Sequence, residues 1–180
     1  RKKWHDFFVG KLNKGEVVYY EIVGWVNETT PIMPPVKTEV LKDKEFTEKY
    51  GKIMTYKYGC PIGQNDIYVY RICNINEDGI ATDLTWNQLK DRCGQIGVKH
   101  VVEILDEYKY DGNSENLMSI VESHVNGPDI IDESHIKEGV VLRVQNGLKV
   151  DLYKHKSWEF YVLEGVIKND DSAIDIEEAS

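Results

Sequence analysis

Asn146-Gly147 lies between two apolar runs, Glu138 to Gln145 and Leu148 to Lys156. Asn-Gly in that setting is the strongest short-range signal for a β-hairpin, because both residues tolerate the positive φ a tight turn demands. The hairpin commits this part of the chain to antiparallel sheet, and alternation then decides which side chains share a face. Lys154 and Lys156 share one, about 6.6 Å apart along the strand at the usual rise per residue. Glu138 opens the arm that delivers them, and Arg143 lies on the opposite face from Glu138, a position that is structural or belongs to another surface.

The other elements follow from similar signals. Glu16 to Val26 (EVVYYEIVGWV) is rich in Val, Tyr and Ile and apolar on both faces, so it is expected as a central strand. Pro31, Pro34 and Pro35 mark a loop, and charged Leu41 to Tyr50 a short helix or part of a long connection. Asp66 to Asn74 is a second strand, and Ile80 to Leu84 pairs with it across the Asp78-Gly79 turn. Thr85-Trp86-Asn87-Gln88 is a capping box, so a helix runs to about Cys93. Leu117, Ile120 and Val121 have helical spacing within Ser114 to His124. Ser157 to Ile167 is a strand or a helix. The mix predicts an α+β fold, antiparallel sheets with inserted helices.

Several side chains stand out chemically. Glu21 falls on a strand face with Val17, Tyr19, Val23 and Trp25. A carboxylate in apolar company is costly unless it is hydrogen-bonded, and ribose hydroxyls or a lysine would do this. Tyr68 and Tyr70 share a face, where either ring could stack on a purine or simply pack. Paired lysines would neutralise phosphates, but the bare spacing by itself fits a solvated edge strand better. Glu138 can hold a divalent metal beside such phosphates or orient a lysine. It can also be a solvated acid at a strand end. His124 and His135 have no metal-ligand spacing with any cysteine and are expected to be satisfied or on the surface.

The chain has 180 residues, room for one domain plus a tail. Its net charge of −9 argues against a general nucleic-acid coat protein but leaves room for a local basic groove. The acids are concentrated at the end: residues 169–180 hold Asp170, Asp171, Asp175, Glu177 and Glu178 without a base, an expected disordered tail or linker. Cys60, Cys73 and Cys93 lack CxxC spacing, so they read as reduced thiols in a cytoplasmic protein, and Asn27-Glu28-Thr29 as an accidental glycosylation triplet. No apolar run has the length of a membrane span. The chain opens on Arg1-Lys2-Lys3 without Met and is read as a fragment or a processed chain.

Taken in order, YYEIVG, DIYVYRI, EGVVLR and YKHKS resemble motifs III, IIIa, IV and V of the ATP-dependent RNA ligases, within the covalent nucleotidyltransferases. The resemblance covers Glu16 to Phe160. It implies a nucleotidyltransferase (ATP-grasp-like) adenylation domain over residues 1–168, N-terminally incomplete, followed by the acidic tail. It implies ATP and Mg2+ (or Mn2+) as cofactors and RNA ends as substrate. Glu21 would bind the ribose and Tyr70, or alternatively Tyr68, would stack on adenine. Glu138 would help bind the metal, and Lys154 and Lys156 would contact the α-phosphate and promote adenylyl transfer. The family seals a 5′-phosphate to a 3′-hydroxyl through lysyl-AMP and RNA-adenylate.

Two departures matter. Arg71 stands where an acid often follows the stacking aromatic. The nucleophilic Lys-x-Asp-Gly motif belongs well before the Glu21 strand, and no such motif precedes Glu21 here. The one literal match, Lys109-Tyr110-Asp111-Gly112, falls out of order and also reads as a turn before a helix. The reactive lysine is therefore expected on upstream sequence. The alternatives are a DNA ligase or capping enzyme, or a non-catalytic nucleotide- or RNA-binding module that has lost the lysine.

Overall fold

The computed structural model describes residues 2–105 and 108–167. The acidic segment 169–180 lies outside them. In chain order the elements are α1 (Lys2–Phe8), β1 (Glu16–Asn27), β2 (Thr30–Pro31), β3 (Val36–Lys37), a 3-10 turn (Thr38–Leu41), α2 (Lys44–Tyr50) and β4 (Ile53–Met54). They continue with β5 (Asn65–Ile75), β6 (Ala81–Asp83), α3 (Trp86–Ile96), β7 (Lys99–His100), α4 (Ser114–Val125), β8 (Gly139–Asn146), β9 (Lys149–Lys156) and α5 (Trp158–Leu163). The fold is α+β, and its sheets are antiparallel where pairing is resolved, except that β7 runs parallel to β5 at Tyr68 and Val69. The chain forms two compact units, and β1 and both hairpin arms run from one into the other.

Of the described residues, the first unit holds 2–22, 66–102 and 143–152. β1 is an interior strand, as its two-sided apolar pattern predicts, and β6 pairs with β5 across the expected turn. Trp4 and Phe8 of α1 pack with Ile67 and Ile96, while Leu89 and Cys93 of α3 pack on Val69 and Ile72. Leu89, Cys93 and Ile96 recur at helical spacing, which gives α3 its buried stripe. The Thr85–Gln88 capping box forms in full, and the helix continues to Ile96, a turn beyond the expected end. Val69 and Ile72 share a core although strict alternation separates them, so β5 changes phase at Tyr70-Arg71.

Two buried ion pairs brace this unit. The Arg92 guanidinium grips Glu16 at 2.7 Å through both Nε and Nη2. That hydrogen bond leads the causes holding the Glu16 carboxyl below its usual range, against the opposing cost of burial. Asp83 accepts from Arg71 Nε at 2.6 Å, Arg71 Nη2 at 3.2 Å and the Val150 amide at 2.9 Å. Arg143 donates to the carbonyls of Tyr70 at 3.1 Å and Leu84 at 2.9 Å, which bears out its structural role.

Of the described residues, the second unit holds 23–65, 103–105, 108–142 and 153–167. Val36, Leu41, Met54, Tyr56, Ile136, Phe160, Val162 and Leu163 form its core. The Asn27 side chain accepts from the Thr29 and Thr30 amides, so the triplet Asn27-Glu28-Thr29 is spent on the β1–β2 turn. Pro31 thus ends a short strand within the expected loop. Ser157 to Ile167, open to either reading, is helical over α5, because the Ser157 hydroxyl accepts from the Phe160 amide as its cap.

The β8–β9 hairpin forms, but its turn residues are Gly147 and Leu148. Positive φ falls on Gly147 and not on Asn146, which instead donates its side-chain amide to Asp151 at the end of β8. Cys73 and Cys93 are buried and Cys60 is partly exposed. Burial raises the Cys93 thiol to about 11, against the lowering influence of Arg92. Alkylation of the folded protein at pH 8 is therefore expected to modify Cys60 first, with Cys93 protected until denaturant is added. Equal labelling of Cys60 and Cys93 by peptide mapping would refute this. No helix of the described residues is long and apolar enough to cross a membrane.

Candidate active site

The sequence-predicted residues fall into two sets, one in each unit. In the first unit Val18 and Tyr20 pack against the core, so Tyr19 and Glu21 face the other way. Glu21 is solvent-exposed there, not enclosed by its apolar strand neighbours. The correction has a physical reason: its neighbours on that face are themselves only partly covered, so the carboxylate keeps its water. Tyr70 shares this face, its ring centroid 6.3 Å from that of Tyr19. Burial first, then the Glu21 charge, raises the Tyr70 phenol, while Arg71 opposes them, so Glu21 and Tyr70 are electrostatic neighbours.

Tyr68 is differently placed. It is buried, with the Lys99 ammonium 5.5 Å from its ring centroid, and Lys99 also pairs with Asp66 at 2.7 Å. Of the two tyrosines, Tyr70 is the less buried. Arg71, which replaces the acid seen in the resembling motif, is committed to Asp83 and lies 5.0 Å from the Tyr19 ring centroid. Its substitution has a structural use.

The second set is built at the base of the hairpin. Gly139 has a φ of 150°, and a Cβ there would lie 2.1 Å from the His155 carbonyl oxygen and 2.6 Å from the Lys156 Cα. Only glycine lets the two arms approach this closely. The contact brings the Glu138 backbone beside Lys156, and the Ser157 amide donates to the Glu138 carbonyl at 2.9 Å. Lys154 is exposed and has no ion pair among the described residues. The Lys156 ammonium lies 5.4 Å from the Phe160 ring centroid and 5.5 Å from that of Tyr161, within cation–π range of both rings. His155, between the lysines, turns to Glu122 of α4 at 3.0 Å.

The Glu138 carboxylate accepts a hydrogen bond from the Tyr58 hydroxyl. Sequence reading missed Tyr58, which lies 80 positions away on a segment without regular structure. Burial first, then the Glu138 charge, pushes the Tyr58 phenol well above its ordinary value. His135 is fully buried and satisfied at both ring nitrogens, by the Ile136 carbonyl at 2.9 Å and the Tyr58 amide at 3.3 Å, the satisfied histidine the sequence led one to expect.

No cluster of three or more His, Cys, Asp or Glu side chains suited to a metal occurs among the described residues. A single carboxylate such as Glu138 fits Mg2+ that arrives with a nucleotide and keeps its waters and phosphate ligands. Lys109 lies on an irregular stretch, and the adjacent Asp111 accepts from Asn113 and Asn116 at the entry to α4. Asp111-Gly112 thus makes the turn before a helix that the sequence suggested.

The family model described as RNA ligase matches residues 10–158 of this chain. No curated protein and no solved structure matches it.

Proposed function

Because the chain belongs to the RNA ligase family, we propose that it carries the ATP-binding machinery of an enzyme that joins RNA 3′-hydroxyl and 5′-phosphate ends. The observation that carries this reading is the close approach at Gly139, which ties Glu138 to the strand bearing Lys154 and Lys156. Two ammonium groups on one rigid strand suit adjacent phosphates, and they would offset charge developing on the α-phosphate as AMP is transferred. Glu21 would accept from ribose hydroxyls, and Tyr70 would stack on adenine, a contact worth about 1–3 kcal/mol. Glu138 would hold Mg2+ or Mn2+, which supplies charge neutralisation at the phosphates. The three free cysteines suit a reducing compartment such as the cytoplasm.

The attacking lysine must shed its proton, and neighbouring cations such as Lys154 and Lys156 favour this. Intact-mass spectrometry after incubation with ATP and Mg2+ tests the proposal on this chain and on a version extended upstream. A gain of one AMP in the extended protein alone supports it and puts the nucleophile upstream. A gain in this chain alone would assign the reaction to a rearranged site, with Lys109 the first residue to map. The turn role of Asp111-Gly112 sets Lys109 aside as nucleophile, and a second reading is a module that binds nucleotide without reacting. ATP binding that Lys156→Ala abolishes, with no mass gain in either protein, would select that reading.

A further inference from the structure

We propose that Tyr58 is a positioning residue for Glu138, holding one carboxylate oxygen so that the other is presented to the nucleotide's divalent cation. The inference rests on the metal-binding reading of Glu138 given above. Its geometry is independent of that reading. The Tyr58 backbone has a φ of 52°, a conformation that L side chains rarely adopt. A position with no demand on its side chain would favour glycine there.

The surroundings fix that backbone. The Tyr58 amide donates to His135 Nε2 at 3.3 Å, and the Gly59 amide donates to Asp132 Oδ2 at 3.0 Å. An accepting Nε2 leaves the proton on Nδ1, which faces the Ile136 carbonyl at 2.9 Å, so the hydrogen-bond pattern assigns the tautomer. The Tyr58 ring lies against His135 at 4.7 Å and beside fully buried Tyr56 at 6.5 Å between centroids. Asp132, His135 and Ile136 belong to the stretch that leads directly into Glu138. Tyr58 and the carboxylate it meets are therefore anchored to the same few residues.

The chemical need is plain. Glu138 directly precedes a strand paired with the lysine-bearing one, and an unrestrained carboxylate would swing toward an ammonium group. A half-buried phenol donating to one oxygen prevents that and selects single-oxygen coordination. Hydrogen-bond partners of metal-binding carboxylates change metal affinity by about 10- to 100-fold when removed.

The test is calorimetric titration of Mg2+ into this chain with ATP present, for the native protein, Tyr58→Phe, Glu138→Gln and the double variant. Tyr58→Phe is expected to weaken Mg2+ by about tenfold. It should leave metal-free ATP binding and the melting temperature close to native. In the Glu138→Gln background the same change should cost nothing further, which a merely structural tyrosine would not show. Tyr58→His, which keeps a ring too short to reach the Glu138 carboxylate, should show the same loss and serves if Tyr58→Phe does not fold. Unchanged Mg2+ affinity in Tyr58→Phe, or an equal loss in both backgrounds, overturns the positioning role alone. Unchanged affinity in Glu138→Gln overturns the metal-binding reading beneath it.

Discussion

Gly139→Ala is expected to destabilise the protein by about 3 kcal/mol or more, through backbone strain and overpacking together. The added Cβ would meet the His155 carbonyl oxygen at 2.1 Å and the Lys156 Cα at 2.6 Å. Both are backbone atoms of the opposing arm, so no rotamer change relieves the clash. The arms must separate, and Glu138 must leave Lys156. Gly147→Ala is the matched control. Gly147 also has positive φ, at 58°, but an added Cβ there meets nothing within 4 Å. It should cost only about 1 kcal/mol, the conformational penalty alone. Urea denaturation of both variants measures the difference. Equal losses would show that the close approach does not hold the hairpin base together. ATP affinity should fall in Gly139→Ala and persist in Gly147→Ala, whose turn is remote in sequence from the proposed phosphate-binding residues.

Asp83→Asn should cost about 3 kcal/mol at neutral pH, because it leaves a partly buried arginine without its counter-charge. Only 2% of the Asp83 side chain is exposed, against 32% for Arg71. Burial would raise the Asp83 carboxyl. The Arg71 hydrogen bond, the Val150 amide and the charges of Arg71 and Arg143 outweigh it and hold the carboxyl below its ordinary 3.8. A folded-state value below the unfolded one means the unfolded chain binds the proton more tightly. The contribution is therefore full above the ordinary carboxylate range and disappears as pH falls through the folded-state value. Unfolding free energies of native and Asp83→Asn protein should differ most at pH 6–7 and converge below about pH 4. A gap that stays constant down to pH 3 would mean that packing, not charge, explains the loss. Arg143 sharpens the case: burial lowers its guanidinium and Asp83 opposes that, so removing Asp83 leaves two cations with less compensation.

Much of the architecture was legible because its signals are local. The Thr85–Gln88 box, the β5–β6 turn and the hairpin each depend on residues a few positions apart, and each formed. The motif order was legible for the same reason, and the family match over residues 10–158 agrees with it. Local signals failed where geometry is collective. Asn146-Gly147 marked the hairpin, yet the turn moved one residue on, to Gly147 and Leu148. Alternation put Glu21 among apolar neighbours, but exposure depends on what covers a face, and that face is only partly covered. Ser157 to Ile167 was ambiguous because a short apolar run suits either period. The Ser157 cap resolves it in favour of helix.

The sequence by itself determined the family, the α+β class, the hairpin and the face shared by Lys154 and Lys156. These follow from alternation, capping and turn chemistry, which act over a few residues. Only the tertiary structure decided that Arg71 serves Asp83, that Tyr68 is buried while Tyr70 is less so, and that Tyr58 reaches Glu138. Each of these depends on which distant segment occupies the space beside a side chain. That is settled by packing and hydrogen-bond satisfaction across the whole core, which no short stretch of sequence contains.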